Sequence, residues 1–411
     1  MKLKSLLFGS AAVLAAGTGA QAADLPTAEP VEYVRICDAF GTGFFYIPGT
    51  DTCLKLSGYV RFQSGVVFGD NTDLGRRFGT HANGLTTPIA ANTVNNWTSQ
   101  ARGHVEWDAR TQADIGLIRA FIALEGTRGG RNVTAGDNAP PIEGVGAYSS
   151  DFGLASAFIQ VSNDFGTYTV GKFGSFFDFW GDHSFSSFRA GIEAGTDDPN
   201  LVAWTFAGGN GFSFSISAED PDSIGRRRNG DDDYEGLEFP DGVANIRVDQ
   251  GWGSAQIMGA VRHIHDVNDD GIGFAVGGGL GLNIPGGWRF DSQGGYSEGA
   301  IAYISSDPGA IGDFNGPTGD ETNESWAVRA GITGPLFNPN LAVWADGSFI
   351  HAEENDGGDE YDFWAVIAGA KYTLAPGLQA GPEFAYNNMD GDDGNEDYEI
   401  FAIQWRIQRS F

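Results

Sequence analysis

Hydrophobic and polar residues alternate along most of the chain after position 52, in short segments bounded by Gly, Asn, Asp or Pro. The segment 401–411 shows this most clearly: its odd positions are aromatic or aliphatic apart from Arg409, and its even positions are Ala, Gln, Arg, Gln and Ser. Successive side chains of a β-strand point to opposite faces. The period of two therefore predicts strands with one apolar face and one polar face.

We count sixteen such segments, from 53–67 to 397–411, and the eleventh is predicted over 287–304. The connections alternate between short turns, such as 251–252, and long polar stretches, such as 175–199. Outer-membrane barrels have an even number of strands, short periplasmic turns and long extracellular loops. Because lipid cannot satisfy an open sheet edge, and because the charged strand faces need water, the strands must close around a hydrated lumen. The pattern predicts an all-β fold, a 16-stranded antiparallel transmembrane β-barrel.

The first 22 residues read as a secretory signal peptide, with Lys2 and Lys4 before a mostly apolar stretch and Ala-Gln-Ala at 20–22. Secretion leads to an oxidising compartment, which favours a disulfide between Cys37 and Cys53. A metal pair or a redox pair would need more ligands or a closer spacing than the 15 residues that separate them. The predicted organisation is a signal peptide at 1–22, a disulfide-tethered amino-terminal segment at 23–52 and the barrel at 53–411.

Composition and charge exclude several classes of protein. The 54 acidic and 24 basic residues give a formal net charge of −30, which excludes nucleic acid as a partner of the chain as a whole. A mean hydropathy of −0.21 excludes a bundle of membrane-spanning helices, since each would need about 18 consecutive apolar residues. The sequence has no His-Glu-x-x-His and no Walker motif, and we expect no enzymatic activity.

Three stretches near the amino terminus carry a family resemblance: 37–41 (Cys-Asp-Ala-Phe-Gly), 43–50 (Gly-Phe-Phe-Tyr-Ile-Pro-Gly-Thr) and 53–61 (Cys-Leu-Lys-Leu-Ser-Gly-Tyr-Val-Arg). They resemble the amino-terminal signature of the alphaproteobacterial porins typified by Brucella and rhizobial general porins. The terminal Phe411 is similar to the assembly signal of many outer-membrane barrels. The resemblance implies a homotrimeric diffusion channel in the Gram-negative outer membrane, with a third extracellular loop that folds inward. The implied partners are outer-membrane lipids and lipopolysaccharide, the barrel-assembly machinery, and small hydrophilic solutes.

The third long connection differs from the others because residues 173–185 are dense in aromatic rings. A loop left in water has no need of so many large apolar rings, so we expect them to pack on the barrel wall from inside. The acidic residues of this loop would then face the opening; they are Asp178, Asp182, Glu193, Asp197 and Asp198. The alternative is an exterior loop that packs on itself or on a neighbouring subunit.

Arginines recur at the polar strand positions that would line the lumen: Arg61, Arg102, Arg110, Arg119, Arg247, Arg289, Arg329 and Arg406. Acids on the loop opposite arginines on the wall would create a transverse field, and rings of charge are one means by which a pore selects ions. About half of the arginines are expected to pair instead with wall carboxylates such as Glu106, Asp108 and Glu125. The excess of acids predicts a mild cation preference. The alternatives to this general porin are a solute-specific channel and a secreted β-rich adhesin.

Acidic runs at 231–233, 353–356 and 390–397 resemble calcium-binding loops in composition, but none keeps the ligand spacing of such a loop. Solvated charge and divalent-cation bridges to anionic lipid headgroups both remain open interpretations of these runs. We therefore predict no cofactor beyond such loop-bound divalent cations, and no dedicated metal site.

Overall fold

In a computed structural model, sixteen antiparallel strands close into one barrel. The structure describes residues 35–69, 97–130, 148–180, 185, 198–224, 236–265, 270–304, 312–315, 321–355, 360–391 and 398–411. The strands are β1 (Phe44–Tyr46), β2 (Cys53–Gly69), β3 (Trp97–Ala113), β4 (Gly116–Gly130), β5 (Tyr148–Asn163), β6 (Gly166–Lys172), β7 (Asn200–Gly209), β8 (Phe212–Asp220), β9 (Asp241–Gln250), β10 (Gly253–His265), β11 (Asp270–Ile284), β12 (Trp288–Glu298), β13 (Phe314–Asn315), β14 (Glu321–Thr322), β15 (Glu324–Leu336), β16 (Asn338–Glu353), β17 (Glu360–Ala375), β18 (Leu378–Gly391) and β19 (Tyr398–Ser410). The barrel consists of β2 to β12 and β15 to β19. Within the described ranges, none of the helices has the length and apolar character needed to cross a lipid bilayer.

The last strand closes the ring by pairing with the first barrel strand. The register of β19 against β2 runs from Ile400 opposite Gly69 to Ser410 opposite Tyr59. Each of the other barrel strands is hydrogen-bonded to the barrel strands before and after it, so the described strands leave no open sheet edge. The predicted 16-stranded antiparallel barrel is confirmed.

Exposure alternates along the strands as the sequence pattern does. In β19, Phe401 and Trp405 are 54% and 53% exposed on the outer surface, whereas Gln404 and Arg406 are 5% and 6% exposed on the inner surface. An apolar outer surface and a polar inner surface are what a barrel needs when lipid surrounds it and water enters it. The two strand faces therefore have the orientation that the alternation predicted.

The connections at one end of the barrel are turns of one to three residues, and those at the other end are longer. In the turn after β7, Asn210 and Gly211 have φ angles of 51° and 81°. A left-handed backbone conformation at both positions of a two-residue hairpin turn matches the twist of the flanking strands. Asn-Gly is the pair of residues that adopts this conformation most readily. In keeping with the sequence prediction, the short-turn end is here called the periplasmic end and the long-loop end the extracellular end.

The amino-terminal segment extends the sheet at the periplasmic end. Strand β1 pairs with the beginning of β2, with Tyr46 opposite Cys53. A disulfide joins Cys37 to Cys53, and both cysteines are buried together with Phe44. The disulfide is thus confirmed. The predicted signal peptide lies outside the described residues, and the boundaries after positions 22 and 52 stay predictions.

The predicted strand over 287–304 is wrong over its last six residues, 299–304. Strand β12 ends at Glu298, Gly299 has a φ of 64°, and a 3-10 turn follows at Ile301–Tyr303. A positive φ turns the chain out of the sheet, and Gly adopts it without steric cost. The apolar residues beyond Gly299 do not reach lipid, because they are buried inside the barrel. Hydrophobicity alone does not distinguish these two apolar environments.

Candidate functional site: the barrel lumen

The third loop starts at the end of β6 and runs along the inner wall. The carboxylate of Glu219 on β8 accepts a hydrogen bond from the Ser175 hydroxyl (2.7 Å) and another from the Phe176 N–H (2.9 Å). Further along, the side-chain amide of Gln256 on β10 donates to the carbonyl of Asp178 (2.7 Å). Glu219 and Gln256 lie on the polar faces of their strands, so these bonds hold the first part of the loop inside the ring.

Aromatic rings of the loop pack against the wall. Phe177 is fully buried, and Phe179 lies over Gly279, where an added Cβ would overlap its ring. Phe185 packs edge-on against Trp344 of β16, with ring centroids 4.9 Å apart. Glycine on the inner face leaves room for a ring, because it has no side chain to displace. The described part of the loop follows an inward path from β8 to β16, unlike the exterior packing that was the alternative.

A second buried carboxylate holds the far part of the loop. Glu383 of β18 accepts a hydrogen bond from the Phe185 N–H (2.7 Å) and one from the side-chain amide of Gln404 (2.8 Å). The guanidinium of Arg406 lies 4.6 Å from the centre of the Phe185 ring, within cation–π distance. Both Glu219 and Glu383 are fully buried, and the sequence analysis did not single out either of them. Alternation indicates that a carboxylate faces the lumen but not which loop atom it meets.

The structure describes two of the five predicted loop acids, and it places them apart. Asp178 lies in the lumen, where its Oδ1 accepts a hydrogen bond from the Trp180 N–H (3.1 Å). Asp198 lies where the loop returns to the sheet, and its backbone carbonyl accepts from the Lys172 ammonium (3.0 Å). The other three lie outside the described residues: Asp182, Glu193 and Asp197. The role of the five acids at the opening stays a prediction.

Among the described residues, ion pairs of 4.0 Å or less join six of the eight predicted wall arginines to a carboxylate. The pairs are Arg102–Glu125 (2.8 Å), Arg110–Asp108 (2.7 Å), Arg119–Asp108 (3.1 Å), Arg247–Asp249 (2.7 Å), Arg289–Asp291 (2.7 Å) and Arg329–Asp346 (3.8 Å). The expectation from the sequence was that about half would pair in this way. Local pairing means that the wall contributes a weaker net field than its number of cations suggests.

The other two predicted wall arginines lie on β2 and β19. The guanidinium of Arg406 donates to Oε1 of Gln63 (2.9 Å), and that of Arg61 lies 5.2 Å from the centre of the Tyr59 ring. Arg102 lies directly opposite Arg61 on the neighbouring strand β3. These three guanidinium groups therefore lie on adjacent strands, and that of Arg102 is paired with Glu125. Strand β2 faces β10 across the ring; the first part of the third loop is bonded to β10, whereas Phe185 of the same loop lies against Arg406 of β19.

A second stretch of chain enters the lumen, and the sequence did not predict it. Residues 300–304, in the connection after β12, are buried, and the Tyr303 hydroxyl donates to Oδ2 of Asp241 on β9 (2.8 Å). The Tyr303 ring packs on Phe177, with centroids 5.0 Å apart. The third loop therefore contacts both the wall and this second stretch. The loss of alternation after Gly299 is the sequence signal that could have indicated that the chain leaves the sheet here.

An acidic cluster lies on the outer surface at the extracellular rim. His351 of β16 has three carboxylates nearby: Asp362 at 2.8 Å, Glu353 at 3.5 Å and Glu360 at 3.7 Å. Ligand atoms of His351, Glu360 and Asp362 lie within 4.8 Å of one another. Of the acidic runs in the sequence, 231–233 lies outside the described residues, and the other two are described in part. Divalent-cation binding by these runs stays a prediction.

Known proteins share both the sequence pattern and the architecture. The family model described as "Porin subfamily" matches residues 24–404. The porin Omp2b of Brucella neotomae is 31% identical over 432 residues, covering the whole of both chains. The solved outer membrane channel DcaP of Acinetobacter baumannii has a TM-score of 0.70 at 18% identity, covering 89% of this chain and 99% of its own. The trimer form of OmpT from Vibrio cholerae has a TM-score of 0.51 at 13% identity, covering 88% and 100%.

Proposed function

The chain belongs to the Porin subfamily, and on that basis we propose that it is a general diffusion channel for small hydrophilic solutes and ions with a mild preference for cations. It is an outer-membrane porin, a transmembrane β-barrel of the Gram-negative outer membrane. Its relatives are channels rather than enzymes, and we propose no catalytic role.

Charged side chains on the inner faces of β3 and β4 carry the proposal of diffusion for hydrated solutes. Arg102, Arg110 and Arg119 keep 19%, 27% and 26% of their side-chain surface exposed, inside a ring whose outer surface is apolar. Ions and small polar molecules cross a pore readily when its wall replaces part of their hydration without binding them tightly. The described part of the third loop contacts the inner wall from β8 to β18, so we expect it to narrow the lumen from that side.

The proposed cation preference comes from the excess of negative charge. Most wall arginines are compensated by neighbouring carboxylates, whereas the whole chain has a formal net charge of −30. A fixed negative field raises the local concentration of cations relative to anions. Acids of the third loop would add to this field at the narrowest section, where it acts most strongly on a passing ion.

Planar-bilayer recording in a potassium chloride gradient tests this proposal. We expect large stepwise conductance and a reversal potential whose sign reports cation preference. The reversal potential should move towards zero in a loop triple variant: Asp178→Asn, Asp182→Asn and Glu193→Gln. A matched control neutralises as many acids on the outer rim and should leave the potential unchanged: Glu353→Gln, Glu360→Gln and Asp362→Asn.

Three results would contradict parts of this proposal. If folded barrels conduct no current, the protein is not a channel. An unchanged reversal potential in the loop triple variant would show that the third loop does not set selectivity. A current that saturates with one solute and not with others would favour the solute-specific channel over the general one.

We further propose that the protein is a homotrimer that contacts outer-membrane lipids and lipopolysaccharide and is inserted by the barrel-assembly machinery. Family membership supports this, as does the trimer form in which OmpT of Vibrio cholerae was solved. Mass measurement in detergent and cross-linking in outer membranes should give three chains, and a single chain in both would contradict the proposal. We include no cofactor other than divalent cations on acidic loops, and an unchanged thermal stability after chelation would remove these.

A further inference from the structure

We propose that Arg262 and its buried partners are a second positioning device of the pore. They hold the stretch 299–304, here called the inner segment, inside the lumen, and the inner segment in turn holds the third loop against the wall. The inference rests on the proposed channel function. It assigns control of the opening to residues that lie apart from the loop acids and the wall arginines discussed above.

The Arg262 network ties the loop after β12 to two wall strands. Arg262 on β10 is fully buried, and its guanidinium contacts Asp241 on β9 (2.7 Å) and Asp313 in the loop (2.8 Å). The Oδ1 atom of Asp313 accepts a hydrogen bond from the Ile301 N–H (2.9 Å). The Tyr303 hydroxyl donates to Oδ2 of Asp241 (2.8 Å). Two stretches of the loop are thereby joined to the wall through charged groups.

The burial of these charges fixes the position of the inner segment. Asp241 and Asp313 are 1% and 0% exposed, so neither can exchange its protein partner for water without a local opening. Removing one member of a buried ion pair leaves an uncompensated charge in a medium of low polarity, which is strongly unfavourable. Apolar contacts alone would allow the segment to slide, whereas directional charged hydrogen bonds define one place for it.

The inner segment packs beside the third loop on the inner wall. The ring of Phe177 lies between Gly277 on β11 and the ring of Tyr303, whose centroid is 5.0 Å from its own. Gly277 pairs directly with Gly295 on β12. An added Cβ at Gly295 would overlap Ile304, so this pair of glycines accommodates both stretches at once. Loss of Tyr303 would remove one side of the packing around Phe177 and free the third loop to shift into the opening.

The test combines conductance with a direct report of loop position. Tyr303→Ala removes the ring that covers Phe177, whereas Tyr303→Phe keeps the ring and removes only the hydroxyl. Asp313→Asn weakens the network without changing the size of the side chain. Because the described cysteines are both in the disulfide, a Phe176→Cys substitution supplies a thiol reporter on the third loop, read by its rate of modification with a hydrophilic thiol reagent. Tyr59→Ala, on the opposite wall, is the matched control.

We expect altered conductance, frequent brief transitions and faster thiol modification in Tyr303→Ala, with smaller changes of the same kind in Asp313→Asn. Tyr303→Phe keeps the ring and loses one bond of the network, so its thiol should be modified faster than in wild type but more slowly than in Tyr303→Ala. Tyr59→Ala should leave the rate of modification unchanged. Heat-dependent gel mobility identifies the variants that fold into barrels. Tyr303→Phe and Asp313→Asn keep nearly the size and shape of the original side chains, so we expect them to fold. If wild type conducts and the folded Tyr303→Ala and Asp313→Asn variants match it in both readouts, the inference is overturned while the channel stands. If folded wild type does not conduct, the proposed function itself fails.

Discussion

Removal of the Glu219 carboxylate should release the first part of the third loop. Glu219 is fully buried and accepts hydrogen bonds from the Ser175 hydroxyl at 2.7 Å, the Phe176 N–H at 2.9 Å and the Ser217 hydroxyl at 2.9 Å. The first two donors belong to the loop, and the third belongs to the same wall strand. Glu219→Ala therefore removes two connections between loop and wall in a single substitution.

The size of the effect follows from these two bonds. A hydrogen bond to a charged group contributes about 1.5–3 kcal/mol, so two of them stabilise the docked loop by about 3 kcal/mol or more. Since each 1.4 kcal/mol is about a factor of ten in an equilibrium constant, the undocked population should rise by roughly 100-fold. Glu219→Gln keeps one acceptor oxygen in place and should produce a smaller rise.

Single-channel recording at low applied voltage measures this population as the fraction of time spent away from the main conductance level. The matched control is Glu106→Ala on β3, which also removes one inward carboxylate and its bonds to the Ser57 hydroxyl (2.8 Å) and His104 (3.1 Å). Both variants remove one inward carboxyl group, but of the two only Glu219 contacts the described part of the loop. Equal transition frequencies in Glu219→Ala, Glu106→Ala and wild type would refute the reasoning.

Three further predictions concern other parts of the barrel. Replacing Cys37 and Cys53 with serine should leave the barrel folded but destabilise the amino-terminal segment by about 3 kcal/mol, seen as faster proteolysis there; global unfolding would contradict this. Gly279→Val should displace the Phe179 ring and change the conductance, whereas an unchanged conductance would show that the ring has room to move. Phe411→Ala should lower the yield of folded protein in outer membranes without lowering its synthesis, and an equal yield would remove its role as an assembly signal.

The barrel was predictable because its determinants are local. A strand between lipid and water alternates residue by residue, and the segment 401–411 shows this without knowledge of any partner strand. The turn at Asn210–Gly211 and the short connections are equally local. The error at 287–304 arose where the alternation of apolar and polar residues ends. Ile301 and Tyr303 are apolar because they are packed inside the barrel, not because they face lipid.

The sequence predicted which types of side chain line the lumen, but not most of the contacts between them. Alternation assigned Arg102 and Arg110 to the inner surface and placed Asp108 on the same face of the same strand as Arg110, but it could not indicate that Arg102 of β3 would meet Glu125 of β4. The bond from Phe185 to Glu383 joins positions 198 residues apart. Such contacts depend on strand register and on the closure of the ring, and a single sequence contains neither.

Two buried carboxylates hold the third loop, and in the proposed channel they would influence the pore width without meeting a solute. Glu219 and Glu383 are both fully buried, yet each positions part of the loop backbone. Selection for reduced uptake of a toxic compound can therefore act at sites that the compound never touches. Surveys of resistant isolates that sequence only the channel mouth would overlook these substitutions.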